Sequence, residues 1–360
     1  MVKTHKNLFE KLCSFENLFN AYLKARRRKK YKAAVLEFTY TLEENLIKIK
    51  EELEKRTYRH GSYTTFQVTD QKKRIVKAAS FRDRIVHHAL CNVIEPIFDK
   101  IFIYDSYACR KGKGIHFGAN RLTKFLRRYR NKKLYALKCD IKKYFESIDH
   151  EILLKIISRK INDDEVLWLV KEIIESDCSE KGKGIPIGNL TSQLFANIYL
   201  NELDYFVKHK LRMKYYLRYV DDFVILHESK EKLREIKQEI IKFLKERLKL
   251  ELHDKKQNIF PVSNGIDFLG YRIFHSHRRV RRSNIKKFVK RNKELIKKYQ
   301  KGIIGFDKIR ASINSWLGYV LHADSFGLRK KILGELGISL PPGLRNEYKF
   351  KIVAPNFLRV

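Results

Sequence analysis

Apolar residues recur at helical spacing over residues 45–55, 81–98, 118–130, 230–250, 284–300 and 307–321, and over a longer run from Thr191 to about Met213. Each stretch predicts a helix with a buried face. Strand-like stretches are fewer. SYTTFQV (62–68) and RIVKA (74–78) alternate, and LYALKC (134–139) runs straight into Asp140. YYLRYV (215–220) and FVILH (223–227) flank a two-residue acidic break, and GIDFLGYRIF (265–274) reads as a strand pair or hairpin. No internal repeat or low-complexity linker interrupts the pattern. The mix predicts a helix-rich α+β fold, with a small antiparallel sheet and helices packed on one face.

Composition narrows the partners rather than the fold. The 360 residues suit two or three domains, or one large body. A 44% hydrophobic content supports a sizeable core and excludes a disordered or collagen-like chain. Lys plus Arg is 78 against 41 Asp plus Glu, a net charge of +37, which calls for a polyanion. A membrane is the weaker choice, because no apolar run reaches the roughly 18 residues a span needs. The N-terminal MVKTHKNLFEKLCSFENLF is broken by charges and lacks a signal-peptide core. Five scattered cysteines fit neither a zinc site nor a disulfide framework, so reduced, buried thiols in a cytoplasmic protein are expected. His87-His88 and His275-x-His277 read as ordinary core or surface residues.

The positive charge is concentrated. Residues 24–32 (KARRRKKYK) hold seven basic residues and no acid; Lys111–Lys143 holds twelve and one acid; Arg278–Arg310 holds fourteen and two acids. One such run is usually a solvated face. Three with so little compensation read as phosphate-contacting surfaces of nucleic-acid binding.

Against that background the acids matter. Asp221 and Asp222 fall between two apolar, β-rich runs, the pattern of a hairpin whose turn carries them. Asp is a good turn residue, so the pair alone is ambiguous. Asp140, at the end of a strand that fits beside this hairpin, gives the pair chemical meaning. Carboxylates meeting at strand ends form an oxygen-ligand site for hard divalent cations. Two such ions can activate a hydroxyl and stabilise a leaving phosphate oxygen.

In these motifs and their order the chain resembles a reverse transcriptase over roughly residues 60 to 330. CDIKKYFESIDHEIL resembles the first metal-binding motif and YVDD the second. DFLGYRI (267–273) resembles the primer grip, LELHDKKQNIF (250–260) the motif with a lysine near the incoming triphosphate, and residues 81–90 and 106–122 finger motifs. The resemblance implies a right-hand polymerase architecture: an N-terminal basic helical extension (1–60), fingers and palm (61–275), a helical thumb (276–345) and a C-terminal tail (346–360). It implies that Asp140 and Asp221 bind two Mg2+ ions, with Mn2+ as a possible substitute. The Ile141 carbonyl can add a ligand, and Asp222 supports the site by ligation or charge. Lys73, Arg74, Gln193 and Lys256 fall where the family contacts the nucleotide, with Lys255 a near competitor of Lys256. Phe145 falls at the steric gate against a 2′-hydroxyl, and Phe268, Leu269 and Gly270 at the primer grip. Simple surface charge is the alternative for the basic residues, and core packing for Phe145.

The segment Ile187-Gly188-Asn189-Leu190-Thr191-Ser192-Gln193 refines the resemblance. Most of the family carries Gln-Gly-x-x-x-Ser-Pro there. The Ile-Gly form resembles the reverse transcriptases of diversity-generating retroelements. Gly188 would let backbone approach a template strand closely. Ile187 would replace an amide able to police the base pair, which implies adenine-mutagenic synthesis; packing beneath the template is the alternative. Ser315-Trp316-Leu317-Gly318-Tyr319 resembles the thumb of group II intron and retroelement enzymes, with Trp316 read as core packing. The implied partners are a structured template RNA, the RNA/cDNA duplex, deoxynucleoside triphosphates and an oligomeric basic accessory (variability determinant) protein. The setting implied is bacterial, archaeal or phage-encoded. A group II intron-like, retron or phage-defence enzyme of ordinary fidelity is the second reading. A non-catalytic RNA-binding scaffold is the third, opposed by three clustered acids that would repel RNA.

Overall fold

A computed structural model of the chain describes residues 4–69, 73–130, 132–177 and 182–338. The tail expected over 346–360, and Cys178, lie outside the described residues. The helices are α1 (Phe9–Cys13), α2 (Phe15–Ala25), α3 (Ala33–Tyr40), α4 (Leu42–Glu54), α5 (Phe81–Asp99), α6 (Ile115–Arg127), α7 (His150–Ser158), α8 (Asp164–Glu175), α9 (Leu190–Tyr205), α10 (Lys230–Leu248), α11 (Arg282–Gln300), α12 (Phe306–Val320) and α13 (Phe326–Glu335). The strands are β1 (Thr64–Thr69), β2 (Lys73–Ala78), β3 (Tyr135–Ile141), β4 (Tyr216–Tyr219), β5 (Asp222–His227), β6 (Leu252–Pro261), β7 (Ile266–Phe268), β8 (Tyr271–Ile273) and β9 (Arg278–Val280). The chain is α+β as expected, but its strands form three small sheets among the described residues rather than one. Their orders are β1-β2, β4-β5-β3-β6 and β7-β8-β9.

Two compact units are formed. The first gathers the described residues within 1–114, 137–226 and 230–259, and the second those within 115–136, 227–229 and from 260 onward. In the first, α2 packs on α5 and α4, and α9 packs on α5, α7 and α10. Helix α9 is buried nearly all round, from Thr191 to Asp204, which is why its apolar pattern shows little amphipathic contrast. The run expected to continue to Met213 leaves the α-helix at Tyr205 and passes through one π-helical turn, Phe206–Lys210. Starts of helices follow their caps: Ser80, Asp149 and Asp163 accept from the backbone N–H groups of Asp83, Ile152 and Val166.

In the second unit α6 packs on β8 and α11 on α12. Trp316 stacks flat on Phe288, centroids 4.2 Å apart, so it is core packing as expected. One expectation is corrected: Cys13, Cys91 and Cys139 are buried, but Cys109 is exposed. It lies in a turn with φ of 53°, a conformation found in surface loops rather than in core strands. Among the described residues no helix is long and apolar enough to cross a membrane.

Candidate active site

The acidic break forms a two-residue hairpin turn. Strands β4 and β5 pair antiparallel with Tyr219 opposite Asp222, leaving Val220 and Asp221 at the turn. Val220 has φ of +55°. Two-residue hairpins favour Gly where φ is positive, and a β-branched residue there is an outlier. Holding it costs about 1–3 kcal/mol, which the surroundings must offset.

Strand β3 lies next to β5, and the Ile141 N–H donates to the Asp221 carbonyl at 3.2 Å. This joins the end of β3, with Asp140, to the turn. Burial raises the Asp221 carboxyl above its ordinary value, and the neighbouring Asp140 carboxylate raises it further. Burial also pushes Asp222 up to about 6, against the pull of the Lys138 ammonium.

Two lysines answer this clustered negative charge. Lys256, on β6, places Nζ 2.6 Å from Asp140 Oδ2. Lys138, on β3, places Nζ 2.9 Å from Asp222 Oδ1 and 3.1 Å from its Oδ2. Strand alternation puts Lys138 and Asp140 on one face of β3, which is what lets Lys138 reach the acids. Arg74, exposed on β2, lies within electrostatic reach of Asp221 and draws its carboxyl down.

The remaining candidate residues divide between the two units. Phe145 is half-buried in a 3-10 turn after β3, its ring 5.6 Å from that of Tyr144. Tyr144 is fully buried and donates to the Ala196 carbonyl of α9, 2.5 Å away. Ile187 is half-buried, and its carbonyl accepts from Lys77 N–H at 2.9 Å. Gly188 has φ of +125°, and a Cβ there would stand 2.8 Å from Val76 Cγ1 and 3.1 Å from the Lys77 carbonyl. Strand β2 therefore approaches Gly188 closely. Gln193 is exposed on the first turn of α9, and Lys255 is exposed beside Lys256. The side chain of Lys73 lies outside the described residues.

Phe268, Leu269 and Gly270 belong to the second unit. Phe268 pairs with Tyr271 across a two-residue turn whose φ values are +53° and +85°, both positive as an I′ turn requires. The Gly270 carbonyl accepts from Tyr319 Oη at 2.7 Å and from Asn284 Nδ2 at 3.4 Å.

The oxygen donors of Asp140, Asp221 and Asp222 are the hard type that Mg2+ and Mn2+ take. The mutual repulsion of Asp140 and Asp221 is the kind of strain a divalent cation relieves. Among the described residues no group of three or more His, Cys, Asp or Glu side chains is already gathered for a metal; the lysines hold Asp140 and Asp222 instead. The donor set thus fits, with Lys138 and Lys256 as resident counter-charges. Sequence reasoning missed Lys138, Arg218 and Asp204. The charge interrupting the apolar run YYLRYV was the available signal for Arg218, because an arginine is almost never fully buried without a partner.

Residues 62–273, 212 of 360 positions, match the family model described as reverse transcriptase (RNA-dependent DNA polymerase). The chain belongs to the reverse transcriptase family. It is 26% identical over 347 residues to the group II intron-encoded protein LtrA of Lactococcus lactis subsp. cremoris, covering 75% of this chain and 56% of LtrA. It is also 26% identical over 247 residues to protein YkfC of Escherichia coli K12, covering 58% of this chain and 65% of YkfC. The chain thus spans between about half and two thirds of the length of these curated relatives. Among solved structures it is similar to an apo telomerase from Candida tropicalis truncated from its C-terminal domain, with a TM-score of 0.45 and 13% identity over 62% of this chain and 55% of that one.

Proposed function

We propose that this chain is an RNA-directed DNA polymerase of group II intron type, making cDNA on a structured RNA template from deoxynucleoside triphosphates. The observation that carries the reading is the meeting of Asp140, on β3, with the Asp221 turn, inside the segment that matches the family. Asp140 and Asp221, with Asp222 and the Ile141 carbonyl in support, would hold two Mg2+ or Mn2+ ions. Bound there, the ions activate the primer hydroxyl and neutralise charge on the leaving phosphate oxygen.

The chain's own residues do the rest. Lys138 compensates Asp222, so Asp140 and Asp221 carry the larger share of ligation. Arg74, within electrostatic reach of Asp221, brings a positive charge suited to the triphosphate, and the family resemblance gives Lys73 the same role. Lys256, paired with Asp140 at 2.6 Å, would be available to the nucleotide's phosphates where a cation held that carboxylate. Phe145 screens against a 2′-hydroxyl, and Gln193 contacts the nucleotide. Phe268, Leu269 and Gly270 grip the primer. The three basic runs contact phosphates, with fingers, palm and thumb divided as the sequence predicts. The test is primer extension on an RNA template with magnesium, compared with Asp221→Ala. Extension lost in the variant supports the reading; equal extension by both overturns it.

The finer reading is a diversity-generating retroelement enzyme, mutagenic at adenine, working with an oligomeric basic accessory protein. Its support is the sequence Ile187-Gly188-x-x-x-Ser192-Gln193. An Ile187→Gln variant should lower errors opposite template adenine, measured by sequencing the products. Unchanged adenine error in that variant, or accurate synthesis by the wild-type chain, favours the intron-like, retron or defence alternative.

A further inference from the structure

A fully buried arginine lies beneath the Asp221 turn. Arg218 is 0% exposed in β4, three residues before Asp221. Its Nε donates to Asp204 Oδ1 at 2.7 Å and its Nη2 to Asp204 Oδ2 at 2.6 Å. Its Nη1 donates to the Val220 carbonyl at 2.9 Å and reaches Asn197 Oδ1 at 3.4 Å. Asp204, also 0% exposed, stands on α9 and accepts a further bond from Tyr216 Oη at 2.6 Å. Asn197 is itself fixed, because its Nδ2 donates to the Ala108 carbonyl at 2.9 Å. The arginine backbone is held too: its N–H donates to Asp105 O, and its carbonyl accepts from Tyr107 N–H, each at 3.0 Å.

The consequence falls on the turn. Val220 occupies a left-handed conformation that its side chain resists, and its carbonyl is the atom Arg218 grips. The next carbonyl, that of Asp221, accepts from Ile141 N–H. The two peptide groups bracketing Asp221 are therefore pinned, one by the guanidinium and one by β3. We propose that Arg218, backed by Asp204, is a positioning residue that holds the strained Val220 turn and so aims Asp221 at the metal site. The proposal rests on the reading of Asp221 as a metal-binding carboxylate of a polymerase. A core ion pair alone needs only the Asp204 contacts; the third donor, on the turn carbonyl, ties this pair to the site. Only a planar fork makes all these bonds together.

Two variants of the full chain test this. Arg218→Lys keeps the buried charge beside Asp204 but, with a single ammonium, loses the simultaneous hold on Val220. Arg218→Met combined with Asp204→Asn removes both charges, avoids an uncompensated buried ion and leaves an acceptor for Tyr216. Thermal unfolding establishes that each variant is folded. Mn2+ binding by electron paramagnetic resonance and single-nucleotide kinetics then read the site. The expected result is Mn2+ affinity weakened several-fold and kcat lowered about tenfold or more, with KM for the nucleotide within about twofold. Wild-type Mn2+ affinity and kcat in a folded variant overturn the proposal. So does a kcat loss that matches the loss of folded protein. If the wild-type chain binds Mn2+ through Asp221 but extends no primer, the polymerase reading fails, and the clamp is judged on Mn2+ affinity alone.

Discussion

Replacing Gly270 with alanine should destabilise the fold by about 3 kcal/mol, from terms that can be added one by one. The residue has φ of +85°, and a Cβ would stand 2.3 Å from Tyr319 Oη, 3.3 Å from its Cζ and 3.0 Å from Asn284 Nδ2. The tyrosine has little freedom to retreat. Its ring stacks on Tyr271 at 4.8 Å, and its hydroxyl donates to the Gly270 carbonyl at 2.7 Å. A left-handed alanine costs about 1–2 kcal/mol. Losing the tyrosine hydrogen bond costs about 1 kcal/mol, and loosening the ring pair about 0.5 kcal/mol. Denaturant unfolding measures the sum, and a double-mutant cycle with Tyr319→Phe separates the terms. In the phenylalanine background the clash with the hydroxyl is absent and only the tight contacts with Asn284 Nδ2 and the ring carbon remain, so Gly270→Ala should cost less, near its backbone term of about 1–2 kcal/mol. A Gly270→Ala cost below about 0.5 kcal/mol, or full additivity with Tyr319→Phe, refutes the reasoning.

Other outcomes follow from the same structure. Lys138→Met should strengthen metal binding at the site, because an ammonium that competes for Asp222 is removed; Mn2+ titration checks this, with unchanged or weakened affinity as the contrary result. Trp316→Ala should cost about 3–5 kcal/mol in denaturant unfolding, as removal of a buried stacked ring does. Burial and the neighbouring His60 hold His87 down to about 3, below its ordinary 6.5, while Asp83 pulls the other way. The unfolded chain therefore binds the extra proton first, so this contribution is intact above pH 6.5 and is lost as pH falls toward 3. The slope is at most about 1.4 kcal/mol per pH unit, and His87→Gln should flatten it in unfolding measured against pH. Binding to RNA should weaken steeply with salt; a flat dependence would contradict phosphate contact by the basic runs.

Much of the architecture was legible because the signals were local. The two-period runs around Asp221 gave the hairpin, and the helical runs gave α4, α5 and α10 to α12 near their observed limits. Strand β6 was not legible as a strand: HDKKQN at its centre is polar and charged, and its residues are half-exposed, so apolar alternation was absent. Small helices such as α1 and α3 were too short for a periodic signal. At the site, the acids could be read from type and spacing. Their counter-ions could not, because the Lys256–Asp140 and Arg218–Asp204 pairs join residues 116 and 14 positions apart. The packing of Gly188 against β2 was not legible, because only the folded chain creates that contact.

Asp140 and Asp221 are proposed to form one metal-dependent nucleotidyl-transfer site. The most direct test of this proposal is single-nucleotide incorporation into a DNA primer annealed to RNA, titrated with Mg2+, for the wild-type chain, Asp140→Asn and Asp221→Asn. Incorporation should require the metal in the wild type and fall by several orders of magnitude in each variant, while primer–template binding is unchanged. Incorporation at wild-type rates in either folded variant, or incorporation that persists without a divalent cation, would contradict it.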